Sequence, residues 1–331
     1  MSNSITRRTF LKGATASALT LAATMSLGTT VLAEAEKQAD AAQPAAAAAP
    51  KYTGEVPYIE HSVVQIAPNL YCISEFYLVN AFFLVGEEKA VLFDTGCGIG
   101  NLREICERIT DKPITVMLTH GHFDHTGGLY QFTDCDVYMH PADLAMNTGN
   151  NEMRAAYASS RGEVRFPGEK NRLAMLARIP EEEPEAVSLE ITKPLAEGDV
   201  FDVGGSTITV YETPGHTDGS VAFLVEPQRV LVSGDTVNNS IILKRQPNNE
   251  TTLIEEFNKT CRKLWDLGDR YDTLAVGHDG FSWEKHLVLD YVDLSQAILD
   301  GDITGKYLEF GIRAGDMARL RTAELWYQCD K

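Results

Sequence analysis

Basic residues are scarce in this chain. Its 331 residues include 29 Lys and Arg against 47 Asp and Glu, so the formal net charge is −18 at pH 7. Such a surface repels the phosphate backbone of nucleic acids, and the sequence contains no basic stripe with interleaved aromatic residues. We therefore expect no nucleic-acid partner.

Long apolar runs are also missing. The weakly apolar run of residues 14–30 is short and rich in Ala, Thr and Ser, which argues against a stable membrane span in the mature chain. It follows the pair Arg7-Arg8 and ends in the small-residue pattern of residues 31–33. This order is typical of a cleaved export signal, and the twin arginine indicates the twin-arginine machinery. We predict a signal peptide over residues 1–33 and a periplasmic, cell-surface or extracellular protein.

The cysteines do not form a metal-binding or redox pair. Six of them are scattered along the chain, and none stands in a C-x-x-C arrangement. This spacing excludes a zinc ribbon. A protein that folds before export meets a reducing cytoplasm first, so we expect buried thiols, while disulfides formed later remain an alternative.

Composition divides the rest of the chain into a linker and a folded domain. Residues 34–51 are rich in Ala and Pro and have no apolar period, which predicts a linker. From residue 52 to residue 331, short β-type runs alternate twice with helical patterns such as residues 100–110. Two sheets packed together with helices outside would explain this α/β alternation within one domain.

The segment 141–185 is long for a simple connection. It carries Met and aromatic residues among charged ones, including Tyr157, and its pattern is helical. A lid that lines an apolar pocket and a packed helical layer both fit this composition. We predict a possible lid insertion and a role for Tyr157 in substrate binding.

Histidine is scarce as well, with eight residues in the chain. Three of them and an aspartate nevertheless lie within six consecutive positions of "THGHFDHTGG", residues 119–128. Further on, single candidates follow predicted strands in "TPGHTDGS", "LVSGDT" and "AVGHDG". Because strand ends meet at one rim of a sheet sandwich, these side chains can share a site. Imidazole and carboxylate suit zinc or a similar divalent ion, and this set is large enough for two ions. The candidate ligands are His120, His122, Asp124, His125, His216, Asp235 and His278.

These motifs resemble those of the metallo-β-lactamase superfamily, over about residues 63–287. The resemblance implies a four-layer αββα sandwich and a hydrolase domain. It also implies one metal on His120, His122 and His216, and a second on Asp124, His125 and His278. Asp235 would bridge the two metals, and Asp94 in "LFDTG" would orient the ligands.

An aspartate at the position of Asp235, in "SGDT", is similar to the glyoxalase II and lactonase branches and differs from the true β-lactamases. The resemblance implies two zinc ions, with iron or manganese as alternatives. A bridging hydroxide would attack an ester, thioester, lactone or amide of a small-molecule substrate. Asp124 would pass the proton. Two rival functions are a mononuclear-iron dioxygenase of the persulfide type and a non-catalytic metal-binding protein on the same fold.

Three further residues are candidate substrate contacts. Asn238 and Asn239 follow Asp235 and could donate to a developing oxyanion, although turn-forming residues are an equal alternative. Lys244 stands where glyoxalase II-like enzymes place a basic residue, although an exposed surface lysine also fits "LKR".

Overall fold

The computed structural model describes residues 61–165, 169–243, 254–310 and 313–327, with the side chains of residues 162–171 left out. The predicted signal peptide and linker, Lys244 and Cys329 lie outside the described residues. Within the described ranges, no helix is long and apolar enough to cross a membrane.

The first sheet has seven strands in sequence order, with antiparallel pairing from β1 to β4 and parallel pairing from β4 to β7. Its strands are β1 (Ser62–Ala67), β2 (Leu70–Glu75), β3 (Val79–Val85), β4 (Ala90–Phe93), β5 (Ile114–Met117), β6 (Asp136–Met139) and β7 (Lys193–Pro194).

The second sheet has six strands in the order β14-β13-β11-β10-β9-β8, and only the β11–β13 pair is parallel among these. Its strands are β8 (Val200–Asp202), β9 (Thr207–Glu212), β10 (Val221–Glu226), β11 (Val230–Gly234), β13 (Thr273–Val276) and β14 (Trp283–Glu284).

Helices cover the outer faces of the two sheets. Those in the first half of the chain are α1 (Leu102–Ile109), α2 (Phe123–Thr126), α3 (Asn151–Arg165) and α4 (Glu169–Leu176), and those in the second half are α5 (Ile254–Asp266) and α6 (His286–Leu299). Short 3-10 turns span Leu129–Gln131, Pro141–Asp143, Leu189–Ile191 and Gly268–Arg270.

The buried core shows the layers. Between the sheets, Phe93 of β4 and Phe223 of β10 pack with ring centroids 5.0 Å apart. Outside the first sheet, Leu102 and Cys106 of α1 are buried, as the apolar spacing of residues 100–110 predicts. Outside the second sheet, Phe257 of α5 is buried with residues of α6. The predicted four-layer αββα sandwich is confirmed.

A third, smaller sheet was not predicted. It has the order β12-β17-β16-β15 and consists of β12 (Ser240–Ile242), β15 (Lys306–Phe310), β16 (Arg313–Leu320) and β17 (Ala323–Tyr327). Strand β12 pairs in parallel with β17, so residues close to Asp235 in the chain are held by residues about eighty positions later.

The segment 141–185 is helical through α3 and α4. Tyr157, Ala158 and Met175 are buried, in a cluster with residues of the β2–β3 turn and the loop after β4. This arrangement favours the packed helical layer over an open lid. Among the five described cysteines none forms a disulfide, and all except Cys135 are buried.

Candidate metal centre

The histidine cluster lies in the loop that follows β5 and in the short helix α2. Strand β5 is parallel to β4 and β6, so its carboxyl end opens at the same rim as theirs. Gly121 allows the loop to approach the Pro141–Asp143 turn, because a Cβ there would lie 2.7 Å from Met146 Sδ and 2.9 Å from Asp143 Cβ. The carboxylate of Asp143 accepts from the Gly121 N–H at 2.9 Å and fixes the loop.

Three imidazoles converge on one point. His122 Nδ1 lies 3.0 Å from His120 Nε2 and 2.9 Å from His216 Nε2. His216 arrives from the loop after β9, so distant parts of the chain meet here. All three ligand atoms lie within 4.8 Å of one another, as a metal-binding group requires.

A second group is formed by Asp124, His125 and His278, whose ligand atoms also lie within 4.8 Å of one another. His278 follows β13, and its Nε2 is 3.3 Å from Asp124 Oδ2. His125 is fully buried.

Asp235 lies between the two groups, directly after β11. Its Oδ2 is 3.6 Å from His216 Nε2 and 3.3 Å from His278 Nε2, while its Oδ1 is 3.6 Å from His125 Nε2. The carboxylate thus contacts imidazoles of both groups. The structure brings all seven predicted ligands together.

Hydrogen bonds on the far side of the imidazoles set their orientation. His216 Nδ1 is 2.7 Å from the carbonyl of Ile242, and His278 Nδ1 is 2.7 Å from the carbonyl of Leu78. An imidazole that donates from Nδ1 to a carbonyl presents the lone pair of Nε2, which is the form that binds a cation.

Asp94 has the same effect on His125. His125 Nδ1 is 2.8 Å from Asp94 Oδ2, which also accepts from the Thr119 hydroxyl at 2.8 Å. That hydroxyl lies 3.0 Å from His120 Nδ1. Asp94 adopts the left-handed region at φ 62°, which turns its side chain into the site. The role of Thr119, which connects Asp94 to His120, was not predicted from the sequence, although Thr119 directly precedes His120.

These residues fit divalent cations. His125 Nε2 is buried and has no hydrogen-bond partner among the described residues. The lone pair of this nitrogen is therefore available to a metal ion. The site is also tight, because a Cβ on Gly277 would lie 2.3 Å from Asp235 Oδ1 and 2.8 Å from His125 Cε1. Imidazole nitrogens and carboxylate oxygens are ligands for zinc and similar metals.

The charges of the cluster are strongly coupled. Burial lowers the pKa of His120 well below its usual range, helped by the charges of His125 and His122. Burial also lowers the pKa of His216, to about 4. For Asp235, burial acts to raise the pKa, but His278 and His125 hold it well below its usual range. Asp235 therefore keeps a carboxylate anion, which a pair of cations would require.

Asp124 also stays ionised and has a partner from the helical segment. Burial acts to raise the pKa of Asp124, but the hydrogen bond with His278 and the charge of His125 hold it well below its usual range. The hydroxyl of Tyr157 on α3 donates to Asp124 Oδ2 at 2.8 Å. Tyr157, predicted as a substrate contact, thus lies against a candidate ligand.

The two asparagines after Asp235 differ. The Asn238 amide donates to Asp235 Oδ1 at 3.4 Å and its Oδ1 accepts from the Ser240 N–H at 2.9 Å, so its polar atoms are used within the loop. Asn239 Oδ1 is buried and has no partner among the described residues.

Comparison with known proteins identifies the class of this fold and site. The family model described as the metallo-beta-lactamase superfamily matches residues 75–286. The chain therefore belongs to the metallo-β-lactamase superfamily.

Two similar proteins extend this result. The acyl-coenzyme A thioesterase MBLAC2 of Homo sapiens is 31% identical over 213 residues, which cover 60% of this chain and 72% of that protein. An uncharacterised protein of Aquifex aeolicus is 32% identical over 203 residues, which cover 59% of this chain and 82% of that protein.

Among solved structures, the inverting sec-alkylsulfatase Pisa1 from Pseudomonas sp. has a TM-score of 0.54 at 16% identity, over 74% of this chain and 44% of that one. At this identity the likeness concerns the fold alone.

Proposed function

We propose that this protein is an exported two-metal hydrolase that cleaves the thioester or ester bond of a small acyl compound. The observation that carries the proposal is the position of Asp235, whose carboxylate contacts imidazoles of both ligand groups. Of the four bonds that the motifs left open, the thioester is favoured by the likeness to an acyl-coenzyme A thioesterase.

The residues divide into two sets of ligands. His120, His122 and His216 would hold one cation, and Asp124, His125 and His278 the other, with Asp235 shared. Zinc suits these donors best, with iron or manganese as alternatives. Two bound cations would supply Lewis acidity at the carbonyl and water of lowered pKa at neutral pH.

The chain itself contributes orientation and a proton acceptor. Asp124 is ionised and would accept the proton that the attacking water loses. The Tyr157 hydroxyl bonds to Asp124 Oδ2 and keeps that carboxylate in one rotamer. Asp235 and all the imidazoles except His122 are buried, and their reduced contact with bulk water strengthens their interactions with the reacting groups.

Asp235→Ala tests the two-metal assignment. We expect metal content to fall from about two per chain and hydrolysis to fall by orders of magnitude, because this change removes a ligand from both groups. His140→Ala is the control, since His140 Nδ1 accepts from the Ala142 N–H at 3.3 Å and its Nε2 faces Glu212. Elemental analysis and a panel of chromogenic esters, thioesters, lactones and cephalosporins provide the readout.

Three results would contradict the proposal. Two metals retained by the Asp235 variant would show that Asp235 does not bridge them. A single iron with oxygen consumption would indicate the dioxygenase. Two metals in the wild-type protein without cleavage of any substrate class would indicate a non-catalytic metal-binding protein.

A further inference from the structure

Arg161 extends the helical segment's contact with the metal centre. It lies one turn after Tyr157 on α3, and its guanidinium carbon is 5.8 Å from the centroid of the Tyr157 ring. The Nε atom of Arg161 is buried and has no hydrogen-bond partner among the described residues. A buried donor of this kind costs free energy unless a ligand accepts from it.

A second arginine comes from the small sheet. Arg313 begins β16, and its side chain is 12% exposed. Its Nη1 donates to the Ser240 hydroxyl and lies 3.4 Å from Glu324 Oε1. Glu324 also pairs with Arg319, so one carboxylate serves two arginines.

The side chains beneath the two arginines converge on His278, because Asp124, which accepts from Tyr157, and Asp235, which accepts from Asn238, each lie 3.3 Å from His278 Nε2. Burial and then the charge of Arg161 lower the pKa of Arg313, whereas Glu324 and Asp235 raise it. Like charges in a partly buried place repel strongly, because little water screens them. An anion placed between them would relieve this repulsion.

Both arginines are linked to the candidate metal ligands through one or two side chains. Tyr157, under Arg161, donates to Asp124. Ser240, which bonds to Arg313, is joined through Asn238 to Asp235. Each arginine is therefore connected to a candidate ligand, Arg161 to Asp124 and Arg313 to Asp235, through a short series of side chains.

We propose that Arg161 and Arg313 form an anion-binding subsite beside the metal centre, which holds a carboxylate or phosphate group of the substrate. This inference rests on the proposed function and narrows its substrate class to anionic acyl compounds. The planar guanidinium matches both kinds of oxyanion through paired hydrogen bonds. On a chain of net charge −18, such a local cationic pair selects anions at short range.

Matched substrate pairs test the subsite on the full chain. In the ester pair, para-nitrophenyl hemisuccinate carries a carboxylate on the acyl side and para-nitrophenyl butyrate does not. In the thioether pair, S-butyl phosphopantetheine carries a phosphate on the thiol side and S-butyl pantetheine does not. The esters are measured by kcat and KM, and the uncleavable thioethers by calorimetric Kd.

We expect the wild-type protein to prefer the anionic member of one pair by roughly tenfold or more, as a hydrogen-bonded charge pair implies. A preference in the ester pair would place the anion on the acyl side of the substrate, and a preference in the thioether pair would place it on the thiol side. Arg161→Gln should abolish this preference mainly through KM or Kd, and Arg161→Lys should restore part of it. Arg108→Gln removes the same charge from a surface pair with Glu104 and should leave the preference unchanged.

The subsite is refuted if the wild-type protein shows no preference in either pair, or if the Arg161→Gln variant retains it. The thioether titration requires no turnover. A preference for the phosphate without hydrolysis of any ester would therefore support the subsite and reject the hydrolase function. Failure of the subsite and failure of the proposed function thus give different results. Arg161 is the position tested because Arg313→Gln would also leave Glu324 with one fewer cation.

Discussion

Asp94→Asn replaces one carboxylate oxygen by an amide NH2 group. The Asp94 carboxylate determines which ring nitrogen carries the hydrogen in two candidate ligands, His120 and His125. Asp94 Oδ1 accepts from the Thr119 N–H at 2.7 Å, and Oδ2 faces His125 Nδ1 at 2.8 Å. Oδ2 also accepts from the Thr119 hydroxyl, which in turn faces His120 Nδ1. With a carboxylate here, both imidazoles carry hydrogen on Nδ1 and present Nε2 to a cation.

In the asparagine variant, the oxygen stays with the Thr119 N–H and the amide nitrogen takes the place of Oδ2. Two donors then face each other at His125, so this imidazole must carry its hydrogen on Nε2, where it blocks the cation. The lost charged hydrogen bond is worth about 1.5–3 kcal/mol. We expect metal affinity to fall by about tenfold to a hundredfold.

Asp290→Asn is the matched control. Asp290 is also buried and also accepts hydrogen bonds, from the Arg321 guanidinium and the Thr322 N–H, but none from an imidazole among the described residues. Both variants should lose thermal stability, measured by circular dichroism. Only Asp94→Asn should lose affinity strongly in competition with a chromophoric chelator. Wild-type affinity in that variant would refute the argument that Asp94 fixes the tautomer.

Three further predictions concern other parts of the chain. Tyr157→Phe removes the hydrogen bond to Asp124 and should lower kcat several-fold with little change in Tm, whereas a large drop in Tm with normal kcat would make Tyr157 purely structural. Burial raises the pKa of Glu75 to about 8, so the folded chain keeps a proton that the unfolded chain loses near pH 4.5. The wild-type Tm should therefore fall as the pH rises from 4.5 to about 8, and the Tm of Glu75→Gln should not. An equal change of Tm with pH in both proteins would contradict the raised pKa of Glu75. Replacing Arg7 and Arg8 by lysine should leave unprocessed protein in the cytoplasm on cell fractionation, and normal processing would reject the twin-arginine route.

The candidate ligands could be predicted to lie together because their signal in the sequence is local. Each candidate follows a strand, and strand ends of one sheet open at one rim, so position along the chain was enough to place His216, Asp235 and His278 together. The same holds for α1, whose apolar residues recur at helical spacing.

The remaining features depend on contacts that leave no mark in the sequence. The carbonyls of Leu78 and Ile242, which orient two imidazoles, belong to backbone that any residue supplies. The small sheet escaped prediction because β12 is three residues long and pairs with a strand far along the chain. The small sheet and α3 bring Arg161 and Arg313 within electrostatic range of each other, and their spacing of about 150 positions carried no signal in the sequence.

The pairing of β12 with β17 also determines when the site can be completed in the cell. Ile242, whose carbonyl orients His216, is held by Trp326 of β17, the last described strand. During synthesis, this strand leaves the ribosome long after the histidine cluster does. A nascent chain therefore has its early ligands exposed before the partner that fixes His216 exists. Stable metal loading should therefore await the synthesis of β17, and a metal acquired earlier would be held by an incomplete set of ligands.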